Sequence, residues 1–385
     1  MTTLFDRPGI RPATHAFVVG VGSYRYLRDP QRPKVRALRL SPLTSPPVSA
    51  RVFTDWLVGE HQNDHAPLAS VELLLSAPDR RYRSPDGTID VEVEPVTMAN
   101  FKRAWDDWFA RCDRHPGDIA IFFFCGHGTL KSNLALLMED FGENEYRMFE
   151  NAVNFDGSHQ AMTTACQARV QCFFADACRG VPYAVLEREG AEGQILIDHM
   201  LRQYQAEDAP RFYATPPTNP AYGQSDEATP YTQALLQALR GAASWPSKGR
   251  WVVLSGRLQD GIRETMKRLQ RDPQLPDQRP VVGGNCSGGS VIHVLPGLPR
   301  VPVSLEFQPS MAAATAEPFF VSATDPAAPQ KLRFTHGAWE AELIAGDYDG
   351  GARFPKGDYS DYPHCRVTPY PPLHELLWEV QASSG

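Results

Sequence analysis

The chain has 385 residues, of which 42% are hydrophobic and 22% charged, with a net charge of −7. That is enough chain for one large core and a smaller module, and an acidic balance argues against nucleic-acid binding. No apolar run approaches the roughly 18 residues of a membrane span. The opening MTTLFDRPGIRPATH has no basic stretch followed by an apolar one, so the expectation is a cytoplasmic protein with no secretory signal and no membrane partner.

In chain order, HAFVVGVGSY (15–24) is a short apolar run closed by glycine, a buried strand and a turn. SPPVSARVFTDWLVGEH (45–61) starts with Pro46 and Pro47 and carries Val48, Val52, Phe53, Trp56 and Leu57 at helical spacing. SVELLLSA (70–77) reads as a second strand. TMANFKRAWDDWFARCD (97–113) has Thr97 as N-cap and apolar residues stepping by three and four, an amphipathic helix. The apolar run DIAIFFFCGHG (118–128) follows, then a short strand at 134–140 and a helix near 157–168.

A second such run is VQCFFADACRG (170–180). After a mixed stretch, RFYATP (211–216) is a strand, TPYTQALLQALRGAA (229–243) and LQDGIRETMKRLQRD (258–272) are helices, and SVIHVLP (290–296) is a strand. Strands alternating with helices predict a mostly parallel sheet covered on both faces. Beyond Pro296 the runs become short and alternating, rich in Gly, Pro and aromatics, which predicts a small β-rich domain over 299–385.

Seven cysteines, an odd number with no CxxC pair, argue against a disulfide framework and for a reducing compartment. Cys166, Cys172 and Cys178 stand six apart, which is not a zinc-ligand spacing. Cys112, Cys166, Cys172 and Cys286 read as buried small hydrophobes. No metal and no cofactor are expected.

The two apolar runs each end in small residues bearing one reactive group, His127 in the first and Cys178 in the second. In a doubly wound sheet, ligands bind at the carboxyl ends of the strands. A free thiol near pKa 8.5 is only slightly ionised at neutral pH, and an adjacent imidazole can take its proton and later protonate a leaving amine. Taken singly, a structural histidine and a buried thiol are sound readings. Two such groups at glycine-bounded strand ends favour a nucleophile–base pair, with the amides of Gly128 and Cys178 as an oxyanion hole.

FFFCGHG (122–128) and FFADACRG (173–180) resemble the His and Cys motifs of the caspase-like cysteine peptidases, which include caspases, metacaspases and bacterial orthocaspases. His127 and Cys178 stand 51 residues apart, which matches a family signature with the His about 50 residues upstream. FVVGVGSY, RFYATPPTNPAYG, TPYTQALLQAL and PDQRPVV resemble further family segments in the right order, over roughly 15–296. The resemblance implies an α/β fold, a caspase-like mostly parallel sheet flanked by helices, with a peptidase domain over 1–298 and the β-rich accessory domain over 299–385. It implies a cysteine endopeptidase with Cys178 as nucleophile and His127 as general acid–base, the imidazole held largely by backbone contacts.

For the substrate, the resemblance places Asp176, two residues before the cysteine, in a pocket that selects Arg or Lys at P1, the residue before the cleaved bond. Cys125 stands as a pocket wall. Ser49 occupies the place where metacaspases usually supply a second Asp, a departure that leaves one of the two carboxylates. Many relatives are zymogens cut after the cysteine, which makes Arg188 and Arg202 candidate processing sites. The acidic stretch MEDFGENE (138–145) lacks an EF-hand pattern and reads as a solvated loop. A protein or peptide substrate and an upstream activating protein are the expected partners, with a role in a bacterial signalling or defence cascade. Tyr348, Tyr359, Tyr362 and Tyr370 suit either a binding surface or the core of a small sandwich, the latter preferred. Two other readings stay open at this point: a silent scaffold that binds peptides, and a thiol enzyme on other substrates or a metal enzyme using Cys125, His127 and Cys178.

Overall fold

The computed structural model describes residues 3–180, 191–198, 203–217, 226–271, 275, 277–325, 330, 332–335 and 337–383. The chain divides into two compact units, Met1–Leu236 with Leu254–Val294, and Gln237–Val253 with Leu295–Gly385. The elements of the first run β1 (Thr3–Asp6), β2 (Thr14–Val21), α1 (Pro33–Arg36), α2 (Ser45–Gly59), β3 (Leu68–Ser76), β4 (Arg81–Arg83), β5 (Asp90–Glu92) and α3 (Met98–Cys112). They continue with β6 (Ile119–Gly126), β7 (Gly128–Leu130), β8 (Leu134–Leu137), β9 (Ala152–Asn154), α4 (Phe155–Ala165), β10 (Val170–Ala177), β11 (Ala209–Tyr213) and α5 (Pro230–Gln237). After an excursion into the second unit come α6 (Ser255–Leu269), β14 (Val281–Asn285) and β15 (Val291–Val294).

The main sheet has the order β1-β3-β2-β6-β10-β11-β14. Its five inner strands are parallel, and the edge strands β1 and β14 are antiparallel to their neighbours. Strands β2, β6 and β10 are buried along nearly their whole length, as parallel strands under helices on both faces must be. On one face Phe17, Phe122 and Phe173 meet Phe101, Trp105 and Trp108 of α3. Ring centroids there lie 5.5 Å apart for Phe17–Phe122 and 5.2 Å for Phe122–Phe173. On the other face Phe53 of α2 stacks on Phe123 at 4.5 Å. Helix α3 begins where its sequence says, with Thr97 Oγ1 accepting from Asn100 N–H at 3.3 Å.

One buried side chain works against this core. His159 of α4 is 1% exposed, lies edge-on to Phe173 at 4.6 Å, and neither ring nitrogen has a hydrogen-bond partner among the described residues. Burial, helped by the nearby Arg211, pushes its pKa from 6.5 to about 3, so the ring is neutral and unsatisfied. Leucine fills a similar volume without polar atoms. His159→Leu is expected to raise unfolding stability at pH 7 by about 1–3 kcal/mol, read from urea denaturation. A lower midpoint would mean that the ring nitrogens are served after all.

In the second unit, β12 (Ser244–Ser247) and β13 (Arg250–Leu254) form a hairpin. Its turn residues Lys248 and Gly249 have φ of 49° and 79°, the positive values a tight hairpin needs. The rest is β16 (Arg300–Gln308), β17 (Glu317–Ser322), β18 (Arg333–Thr335), β19 (Ala338–Ile344), β20 (Tyr348–Arg353), β21 (Tyr362–Val367) and β22 (His374–Glu379). They form a sheet β18-β19-β16-β22 and a sheet β17-β20-β21, around a core of Leu305, Phe307, Phe320, Leu343, Tyr348 and Trp378. Tyr348 is in that core and Tyr359 and Tyr362 pack against it, whereas Tyr370 is exposed.

Three expectations need correction. The helix expected over 229–243 stops at Gln237, because the chain opens into a wider turn at 238–242 where Gly241 adopts φ 146°. Cys286 is exposed, since it follows the edge strand β14 rather than sitting inside the sheet. The acidic stretch 138–145 is not simply solvated. Glu139 is buried, and both Asp140 oxygens accept from Met98 N–H at the start of α3, at 3.0 and 3.1 Å. Carboxylates there satisfy donors that the fold leaves over. Among the described residues no helix is long and apolar enough to cross a membrane.

Candidate active site

Strands β6 and β10 are adjacent, parallel and in register, with Cys125 opposite Asp176 and Gly126 opposite Ala177. His127 and Cys178 are therefore the first residues beyond two neighbouring strand ends. His127 is buried and Cys178 half-buried. The next residue, Gly128, touches the same place from the other strand. A Cβ built on it would stand 2.7 Å from the Cys178 carbonyl oxygen and 3.0 Å from Ala177 Cβ. Only glycine lets the two chain ends approach this closely.

His127 is held at two points, by a side chain and by a backbone carbonyl. Its N–H donates to Tyr24 Oη at 2.7 Å, and its Nε2 lies 2.7 Å from the Ser41 carbonyl oxygen. A carbonyl only accepts, so Nε2 carries the ring proton and Nδ1 is the basic nitrogen. Nδ1 has no hydrogen bond among the described residues. Burial lowers the imidazole pKa below its usual 6.5 and outweighs the Ser41 contact, which raises it, so the ring is neutral at pH 7.

The Ser41 carbonyl is brought over by a close backbone approach. Leu43 N–H donates to Gly22 O at 2.8 Å, and a Cβ on Gly22 would come within 2.4 Å of the Leu43 oxygen. Glycine at 22 is thus required by proximity. Gly22 N–H and Ser23 N–H in turn donate to Ser76 O, at 2.8 and 2.9 Å.

Gly128 begins β7, which pairs with β8 so that Gly128 faces Leu136. Leu137 N–H donates to His127 O at 3.0 Å, which makes Gly128–Leu136 a non-hydrogen-bonded pair. The Gly128 N–H accordingly points away from β8 and is not spent in that ladder.

Asp176, Cys125 and Ser49 come together beside this pair. Asp176, 3% exposed, accepts from the Thr229 hydroxyl and from the Thr232 hydroxyl, the latter at 2.7 Å. The Cys125 thiol is hydrogen-bonded to Asp176 and to Ser49, and Thr229 N–H donates to Ser49 Oγ at 3.0 Å. Burial pushes the Asp176 pKa up from 3.8 to about 6, against the three hydrogen bonds that lower it. Among the described residues Asp176 has no cationic partner. Burial also pushes the Cys125 thiol well above its ordinary value, so it stays protonated.

Arg188 and Arg202 lie outside the described residues. None of the seven cysteines is in a disulfide, and no group of three or more His, Cys, Asp or Glu suited to a metal occurs among the described residues. Tyr24, Ser41 and Thr232 are site residues that the sequence reading did not pick out. Thr229 was visible only as a helix N-cap, a role it fills by accepting from Thr232 N–H at 3.1 Å.

A family model described as the caspase domain matches residues 75–277, which span both strand ends. This chain belongs to the caspase-domain family. Its fold is caspase-like and of the cysteine-peptidase type, with further strand-rich sheets after the caspase domain. The uncharacterized protein y4kE of Sinorhizobium fredii is 29% identical over 290 residues, covering 72% of this chain and 82% of that protein. Among solved structures the chain is similar to protein GSU0716 from Geobacter sulfurreducens, at 12% identity and TM-score 0.43, over 74% of this chain and 100% of that one. It is likewise similar to caspase-1 from Spodoptera frugiperda, at 12% identity and TM-score 0.43, over 76% of this chain and 98% of that one.

Proposed function

We propose that the protein is a cysteine endopeptidase in which Cys178 and His127 form the catalytic dyad and P1 is Arg or Lys. The observation that carries the reading is the in-register pairing of β6 and β10, from whose adjacent ends a thiol and a neutral imidazole emerge, the imidazole with an Nδ1 that has no hydrogen bond among the described residues. In this mechanism Nδ1 takes the Cys178 proton as sulfur attacks the scissile carbonyl carbon. The oxyanion is held by backbone N–H groups, with Gly128 the best-oriented candidate. The imidazolium then protonates the departing amine as the C–N bond breaks, leaving a thioester. Water, deprotonated by the same nitrogen, attacks that thioester and releases the acid and the thiol.

The buried carboxylate of Asp176, which lacks a cation among the described residues, supports a basic P1 side chain as its partner. The processing sites Arg188 and Arg202 are part of the same reading, since an enzyme cutting after Arg can cut its own chain. A role in a bacterial signalling or defence cascade, under an upstream activator, is consistent with it.

The test is a peptide library scanned at P1, run with wild type and Cys178→Ala side by side. Arg and Lys peptides are expected to be cut, Asp peptides spared, and the variant inert. A wild-type protein that leaves the whole library intact and does not react with a peptidyl chloromethyl ketone would refute the reading and leave a peptide-binding scaffold.

A further inference from the structure

Tyr24 sits in the turn after β2 and takes part in none of the steps just described, yet its oxygen is the acceptor for the His127 amide, at 2.7 Å. Its ring also lies 4.9 Å from the imidazole, tilted by 43°. The phenol therefore meets His127 twice, once at the backbone and once at the ring. The contact is tight: a Cβ on Gly126 would stand 3.0 Å from Tyr24 Oη. The titratable groups facing the phenol are the imidazole of His127 and the thiols of Cys125 and Cys178, and burial raises its pKa, so it remains a neutral O–H group.

The turn that carries Tyr24 is anchored on both sides. Ser76 O at the end of β3 accepts from Gly22 and Ser23. On the far side Arg25 N–H donates to Glu139 O at 3.0 Å, and Arg25 Nε pairs with Glu139 Oε1 at 2.7 Å. The second Glu139 oxygen accepts from Ser76 Oγ at 2.5 Å, and Ser76 Oγ accepts from Val96 N–H at 2.9 Å. The buried carboxylate thus ties the Tyr24 turn to the end of β3.

We infer that Tyr24 is a positioning residue for His127: its phenol oxygen fixes the backbone at the end of β6, and its ring fixes the imidazole plane so that Nε2 meets Ser41 O and Nδ1 stays open. The inference rests on the proposed dyad. Without the oxygen, the His127 N–H is left buried and unpaired, a cost that local rearrangement relieves only by moving the histidine. An imidazole that swings toward water loses the burial that lowers its pKa, and its pKa rises toward 6.5.

Tyr24→Phe keeps the ring and removes the oxygen. The expected result is a kcat lower by about tenfold, the worth of one hydrogen bond, with KM unchanged and the acid limb of the pH profile moved up toward 6.5. The same limb is to be read without substrate, from the pH dependence of iodoacetamide alkylation at Cys178. Should wild type cut no peptide, the peptidase reading fails, while the alkylation limb still reports on Tyr24. A folded Tyr24→Phe protein with wild-type kcat and both limbs unmoved overturns the proposal. Glu139→Gln slackens the turn without touching the phenol and is expected to move the limb the same way by less. If Tyr24→Phe does not fold, a folded Glu139→Gln protein with unmoved limbs counts against the proposal equally.

Discussion

Replacing His127 by alanine is expected to lower kcat by about a thousandfold or more, with KM close to wild type. A thiol of ordinary pKa, near 8.5, supplies only a few per cent of thiolate at pH 7. In the proposed mechanism the imidazole makes up the difference by accepting the proton in the attack and returning it to the leaving amine, and alanine does neither. Burial holds the His127 pKa below 6.5. The proposed base is thus active in its neutral form, and wild-type activity is expected to fall as pH drops through this lowered pKa, below 6.5. In His127→Ala this acid limb disappears, and residual activity rises with pH as the thiol ionises unaided. Circular dichroism establishes that the variant is folded, and steady-state kinetics from pH 5 to about 9 reads both effects. A folded variant within tenfold of wild type, with the acid limb intact, removes His127 from the mechanism.

The strands that end at His127 and Cys178 are legible because they are buried on both faces. IAIFFFCG is an unbroken apolar run and VQCFFADA is broken only by Gln171 and Asp176, and such runs occur where helices cover both sides of a sheet. The edges are not legible in the same way. Strand β1, TLFD, is too short and too exposed to show a pattern, and β14, VVGGN, holds two glycines. Both join the sheet antiparallel to their neighbours, which no local periodicity dictates. Nor does the sequence reveal that residues 237–253 leave the first unit and pack with the second. The apolar stripe through Leu235 and Leu239 runs straight across the turn at 238–242.

Within the site, chemistry-bearing side chains could be singled out, but their partners could not. Tyr24 and Ser41 contact His127 across 103 and 86 residues, the second through a backbone carbonyl that any residue type provides. Thr229 shows its capping role locally, since that bond spans three residues. Its hydroxyl bond to a carboxylate 53 residues earlier depends on how α5 meets β10. Glu139 looks like one more acid in a polar loop until the fold brings Ser76 and Arg25 to it.

Asp176→Asn is expected to lower kcat/KM for Arg and Lys peptides by about 2 kcal/mol or more, roughly thirtyfold, while peptides with neutral P1 residues lose little. The carboxylate is a poor stabiliser of the fold. Its pKa rises from 3.8 unfolded to about 6 folded, so the folded chain holds its proton more tightly than the unfolded one. Stability from this group is present below about pH 4 and is lost as pH rises through about 6, which leaves the ionised form a burden of a few kcal/mol at pH 7. Asparagine has the same shape, keeps an oxygen for the Thr232 hydroxyl and carries no charge. The variant is therefore expected to melt no lower than wild type at pH 7 while losing selectivity, the pattern of a residue kept for binding rather than for stability. The same ionisation gives a second signature. For Arg peptides, wild-type KM rises as pH falls through about 6, and this limb vanishes both in Asp176→Asn and with neutral P1 residues. It is thereby separable from the His127 limb, which every substrate shows. An Asp176→Asn enzyme that cuts Arg peptides as well as wild type, but with a lower melting temperature, would assign the carboxylate to fastening α5 through Thr229 and Thr232, and the P1 pocket would have to be sought elsewhere.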